Sequence, residues 1–398
     1  MSNIRQFPGG EGESPVKRLD RQAKRRRFVR FYIIVLILLV FMAAVISYYI
    51  YRNTKVFTDI STVSSVTRLD ADGTTLMEFD GSLLTYSRDG ANAVSADGKL
   101  LWNRTFDMQN PMASTCGDTA AFADYGGSTI YIQTSGGDSY TVGTDKPIRK
   151  IAVSSGGYVL AVLEDTSVTW IYMYDFNGTE IAYFRTTMEK SGYPVDIDIS
   201  PDGELVAVSY YYLDCNEIKS SVAFYNFGDV GQNNIDNYVS GYNYSDTLIP
   251  VVRFLDEKTV FALSNTRLCM YSGAHKPVSV SDLFLTDDVL STYYASDAVA
   301  VIYRNNSGSS SGKYRMELYN TSGELLFEKV FDFDYSGVAF SGTNVILYGD
   351  TSIYLATYDG DMRYEGNYTE AVKMVIPTSS ITKYVFVTEN TMDTVEFK

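Results

Sequence analysis

Two patterns of apolar residues divide the chain. Phe31 to Tyr51 (FYIIVLILLVFMAAVISYYIY) has no charge and no polar face. Beyond about residue 63 the apolar residues come in short runs that recur roughly every forty residues. The runs begin at Leu83, Ala120, Val159, Leu205, Val260, Ala298, Val345 and Tyr384, at intervals of 37, 39, 46, 55, 38, 47 and 39 residues. A second run, often aromatic, follows each one after a short turn. A Gly-bearing turn such as Asp97-Gly98, Asn177-Gly178 or Ser322-Gly323 then commonly leads to a more polar third strand.

This repeat predicts an all-β domain, a β-propeller whose blades hold four antiparallel strands in about 40 residues. The leading run of each unit, Leu205 to Val208 for example, is apolar at nearly every position. It reads as an inner blade strand covered on both faces by neighbouring blades. Asp-Gly pairs at Asp72, Asp89, Asp202 and Asp359 suit tight hairpins. A β-sandwich, or several small β-domains, is the competing architecture.

Eight units start, but the last ends with Lys398 at its third strand, and an unpaired sheet edge invites aggregation. The run Val66 to Leu69 precedes the first complete blade and is free to supply the missing outer strand. The expectation is an eight-bladed ring closed by strand exchange between the chain ends, with a seven-bladed ring as the alternative. The longest unit, Leu205 to Val260, carries an insertion around Gly228 to Ser245, and Asn305 to Gly312 reads as a hairpin loop.

A helix over Phe31–Tyr51 would be about 30 Å long, the thickness of a bilayer's hydrocarbon core. Thirteen of its residues are Leu, Ile, Val or Phe, each favouring insertion by roughly 0.3 to 0.6 kcal/mol at the membrane centre. A signal peptide has a shorter apolar region and a small-x-small cleavage site. Here Ala43 and Ala44 run on into Val45, Ile46 and aromatic residues, so an uncleaved single-pass signal-anchor is expected. The preceding tail is rich in Gly, Pro and charge, which predicts disorder. Its basic residues include Lys24, Arg25, Arg26, Arg27 and Arg30. The positive-inside rule then places residues 1–30 in the cytoplasm. The chain reads as tail 1–30, span 31–51, linker 52–62 and extracytoplasmic propeller 63–398, held at the cell membrane.

Charge divides at the same place. Residues 1–58 carry eleven basic and three acidic residues; the remainder carries 22 basic and 45 acidic, a net charge of −23. A domain so acidic repels phosphate backbones, which excludes a nucleic-acid partner.

Candidate chemistry is sparse. The one histidine, His275, lies in a Gly-Ala-His-Lys-Pro loop and reads as a solvated surface residue, which excludes multi-His zinc sites. Cys116, Cys215 and Cys269 are far apart and show no CxxC spacing. Cys116 and Cys269 read as small buried hydrophobes in strands, Cys215 as the more exposed thiol. Asp196-Ile-Asp198 and Asp332-Phe-Asp334 place two carboxylates on one strand face, as a calcium site or an acid/base pair requires; turn capping is the simpler reading. Asp70-Ala-Asp72-Gly73 begins like a calcium loop but lacks the later ligands. Thirty-three tyrosines are the one compositional excess, clustered at 210–212, 238–244 and 293–294. They suit packing between blades, or peptide and glycan binding on a propeller face.

Several stretches carry a resemblance: TYSRDGANAVSADGKLLWNRTFDMQNP (85–111), CGDTAAFADYGGSTIYI (116–132), GYPVDIDISPDGELVAVSYYYLD (192–214), residues 222–256 and KYRMELYNTSGELLFEKVFDFDYSGVAFSG (313–342). Through them the chain resembles the single-pass membrane propeller proteins of clostridia-type Gram-positive bacteria, classed as a domain of unknown function. The resemblance implies fold and topology; no activity or site comes with it. SADGKLLW (95–102) is also similar to blade motifs of quinoprotein-like propellers, but with only Trp102 and Trp170 their repeated tryptophan docking is absent. No cofactor, metal or catalytic residue is therefore expected. The leading functional expectation is a membrane-tethered binding or scaffolding propeller for an envelope protein, peptide or glycan. A sensor acting through the basic tail and a carboxylate-based glycan-active enzyme are the alternatives.

Overall fold

A computed structural model describes residues 28–29, 31–45, 47, 54–68, 73–165, 168–187, 191–214, 217–306 and 312–398. The chain forms two compact units, Met1–Val56 and Phe57–Lys398. In the first, residues 31–45 are helical and their apolar side chains are almost all exposed. No helix among the described residues is long and apolar enough to cross a membrane. Lys24, Arg25, Arg26, Arg27, Arg30 and Tyr51 lie outside the described residues.

The second unit is an eight-bladed β-propeller, built of eight four-stranded antiparallel sheets. Blades 1 to 7 take residues 75–105, 111–143, 148–186, 193–244, 251–284, 289–331 and 337–367 in chain order. Blade 8 joins three C-terminal strands (374–397) to an outer strand from the other end of the domain, Ile60–Thr67. Ile60 pairs with Phe397 and Thr67 with Thr391. The strand exchange is as expected, and the strand begins at Ile60, inside the stretch read as linker.

The apolar runs prove to be the second strands of the blades, covered on both faces as read, and each is preceded by a channel-side strand that the apolar pattern does not mark. Val159–Glu164 and Ala298–Arg304 are buried along nearly their whole length. Blades stack on both faces of these strands, and a strand pairs along each edge. The true inner strands, such as Pro111–Cys116, are half-buried throughout because they border the central channel. Their mixed pattern hides them in the sequence.

Glycine is required where third strands turn into outer ones. Gly98, Gly178, Gly323 and Gly360 all have φ between +79° and +85°. The Gly98, Gly178 and Gly323 N–H groups donate back to Ser95, Asp175 and Asn320. Each of these hairpins carries a bulge, which adds the local twist a blade needs.

Inner strands run toward the face that carries their turns into the second strands. The alternation then brings Ile60 and Phe397 to that same face, so the chain enters and leaves the disc there.

Candidate binding site in the central channel

A cavity of about 820 Å³ occupies the channel, walled by the inner strands of blades 1 to 6. It reaches the turn residues Gly117, Ser155, Pro201 and Leu255, on the face where the chain enters.

Asp196 is the hub of the wall. Its side chain is 1% exposed, and it takes Lys150 Nζ on Oδ1 and Arg253 Nη1 on Oδ2, each at 2.5 Å. The Val252 N–H also donates to Oδ2, at 2.9 Å. Two residues on, Asp198 Oδ2 accepts the Phe254 N–H at 2.7 Å. The spacing explains the pair. Alternate side chains of blade 4's inner strand face one way, and so do alternate N–H groups of blade 5's inner strand. Asp196 and Asp198 thus clip onto Val252 and Phe254, satisfying a strand edge that has no strand beside it.

Burial raises the Asp198 pKa to about 6, against the pull of Arg253 and the Phe254 N–H. Cys116, on the inner strand of blade 2, lines the same cavity. Burial, and after it the charge of Asp198, pushes its thiol up to about 11, so it stays protonated at neutral pH and is a poor nucleophile. Tyr294 also lines the cavity, 44% exposed.

Asp196 and Asp198 do share one strand face, but as a structural clip. Two-carboxylate hydrolysis needs both groups within reach of the substrate, and Asp196 is sealed by three donors. Asp332 and Asp334 are not on a strand, because blade 6's outer strand stops at Phe331. No cluster of three or more His, Cys, Asp or Glu side chains suited to a metal occurs among the described residues. His275 is exposed, as read, and Cys269 is fully buried. Cys116 departs from the expectation: it is half-buried and faces the channel. Asp70, Asp72 and Cys215 lie outside the described residues. Sequence reasoning missed Lys150 and Arg253, which sit singly in otherwise ordinary strands.

The tyrosine clusters divide between packing and surface. Tyr210 is buried, its hydroxyl 2.8 Å from that of Tyr225, and Tyr244 pairs with Tyr271 at 2.5 Å. Tyr238 and Tyr294 are exposed.

The profile of a family of unknown function, DUF5711, matches residues 53–397. The chain belongs to that family. No curated protein matches this DUF5711 chain. Among solved structures it is similar to BamB from Moraxella catarrhalis, with a TM-score of 0.50 at 14% identity, over 85% of this chain and 100% of that one. It is also similar to apo AztD from Citrobacter koseri, with a TM-score of 0.53 at 9% identity over 75% and 87%. A eukaryotic initiation factor gives a TM-score of 0.53 at 10% identity over 86% and 88%. At such identities the shared property is the propeller fold.

Proposed function

We propose that this chain is a membrane-tethered, extracytoplasmic propeller that binds an envelope protein, peptide or glycan without catalysis. The observation that carries the binding reading is the channel. It is a large cavity with charged walls, yet its carboxylates are engaged in holding blades together, and its thiol is held protonated. The tether reading rests on the uncharged run Phe31–Tyr51, on the exposure of its helical residues 31–45, and on the basic cluster Lys24–Arg30 before it. A helix apolar on every side has no solvated face and is at home in lipid. A short tether leaves the propeller little reach, which favours membrane-proximal partners.

Protease shaving of intact cells tests the topology, with one epitope tag before Met1 and another after Lys398. Loss of the C-terminal tag with survival of the N-terminal one is expected. Survival of both in intact cells, with loss of both after lysis, overturns the extracytoplasmic placement.

A further inference from the structure

The insertion that makes blade 4 the longest unit has no part in the channel. It runs over residues 227–237, between the third strand Glu217–Asn226 and the outer strand Tyr238–Tyr244. Asn226 fixes one end of it: its Oδ1 accepts the Gly231 N–H at 3.2 Å, and its carbonyl accepts Asn237 Nδ2 at 3.0 Å. A Cβ on Gly231 would stand 1.6 Å from the Asn226 carbonyl oxygen, so only glycine fits. Asp236 and Asn237 are held in succession at φ of +55° and +58°. Asp and Asn are the residues with a Cβ that adopt this left-handed conformation most readily, so the sequence suits the turn it makes.

This ordered loop borders a groove of about 310 Å³ on the rim between blades 3 and 4. Aromatic rings line it. Phe184 stacks on Tyr225 with ring centres 4.3 Å apart, and Tyr225 meets Tyr238 edge-on at 5.9 Å. Tyr238 reaches across its own strand over Gly241, where a Cβ would come within 2.5 Å of its hydroxyl. Tyr238 is 46% exposed. Arg185, Asp236 and Asn243 are exposed along the same groove, with Ser191 and Ser221 half-buried.

We infer that this groove is a saccharide site for an uncharged pyranose of one or two rings. A pyranose has a flat C–H face suited to an exposed Tyr ring and an edge of adjacent hydroxyls. Arg185 donates, Asp236 accepts and Asn243 does both, which matches such an edge. The volume suits a disaccharide, and the net charge of −23 on residues 59–398 disfavours anionic glycans. The inference rests on the reading of the chain as a binding module and names a ligand class for it, at a place separate from the channel.

The test is calorimetric titration of the full chain, in a non-glycosidic detergent, with maltotetraose, cellotetraose and chitotetraose. The expected result is submillimolar to millimolar binding of at least one probe, weakened about tenfold or more by Tyr238→Ala and by Arg185→Ala. Both side chains are exposed, so an unchanged melting temperature identifies folded variants. Tyr125→Ala, an exposed tyrosine of blade 2, should leave binding unchanged. No heat from any of the three probes with folded protein overturns the inference, and so does binding that Tyr238→Ala leaves intact. Neither result bears on the topology, which the protease experiment decides separately.

Discussion

Ile60 pairs with Phe397, so the first strand of the propeller is hydrogen-bonded to the last. The consequence is that the ring is closed by both ends of the domain. Deleting residues 54–67 would expose the edge of Thr391–Phe397 and uncover Phe397, which packs against Phe57 with ring centres 5.7 Å apart. The deleted chain is expected to aggregate, because the bared strand offers an unpaired edge. Size-exclusion chromatography with light scattering checks this; a monomer with an unchanged melting temperature would refute closure by this strand.

Gly98 tests the seam between blades 8 and 1 more finely. It sits at φ +81°, and a Cβ there would lie 2.3 Å from Val66 Cγ1 of the closing strand. Gly98→Ala therefore meets both backbone strain and a clash, and about 1–3 kcal/mol of destabilisation is expected. Adding Val66→Ala should recover part of the loss by removing the clash and leaving the strain. A denaturant melt of the single and double variants separates the two contributions.

How much of this was legible in the sequence follows from what each strand touches. Leu205 to Val208 declares itself because every side chain is buried, so no polar alternation dilutes the run. Pro111–Cys116 is silent because it borders the channel and carries mixed residues. Asp196-Ile-Asp198 announced two carboxylates on one strand face. Their acceptors' partners, the N–H groups of Val252 and Phe254, lie 56 residues on and leave no mark in side-chain identity. Lys150 and Arg253 were hidden for the same reason: the ring brings them together, and no local spacing does. The rim groove was half visible, as a tyrosine cluster and an overlong unit whose joint meaning needed blade 3 beside it.

Removing the hub carboxylate should be costly. Asp196→Ala would leave Lys150 and Arg253 without their shared partner and the Val252 N–H without an acceptor. Breaking a fully buried ion pair costs roughly 3–5 kcal/mol. Lys150 and Arg253 keep 37% and 29% exposure, and their access to water reduces that figure. About 2–4 kcal/mol is expected. A chemical melt measures it, and a loss of less than about 0.5 kcal/mol, the usual range for a surface substitution, would show that the clip carries little.

Asp198 gives stability a pH dependence of definite sign. Its pKa is raised in the folded protein to about 6, from an ordinary 3.8. Between those values the folded state holds a proton that the unfolded chain has released, so this group's contribution falls as pH rises through the window. Asp198→Asn keeps an acceptor for the Phe254 N–H and cannot ionise. The variant should be more stable than the parent above pH 6, with the advantage shrinking as pH falls toward 4. Melting temperatures across that range decide it; parallel curves for the two proteins would mean that Asp198 titrates normally.

Cys116 reads out the same charge independently. Its thiol is raised to about 11, by burial first and by Asp198 next. Alkylation by iodoacetamide depends on the thiolate fraction, so at neutral pH Cys116 should react orders of magnitude more slowly than a free thiol of pKa about 8.5. With Cys215 and Cys269 replaced by serine and alanine, Asp198→Asn should accelerate the reaction, because the neutral side chain no longer opposes the thiolate. Mass spectrometry of the labelled protein follows the rate. An unchanged rate in a folded variant would place Asp198 too far from Cys116 to act on it, and would open the channel wall that now brings blades 2 and 4 within electrostatic reach.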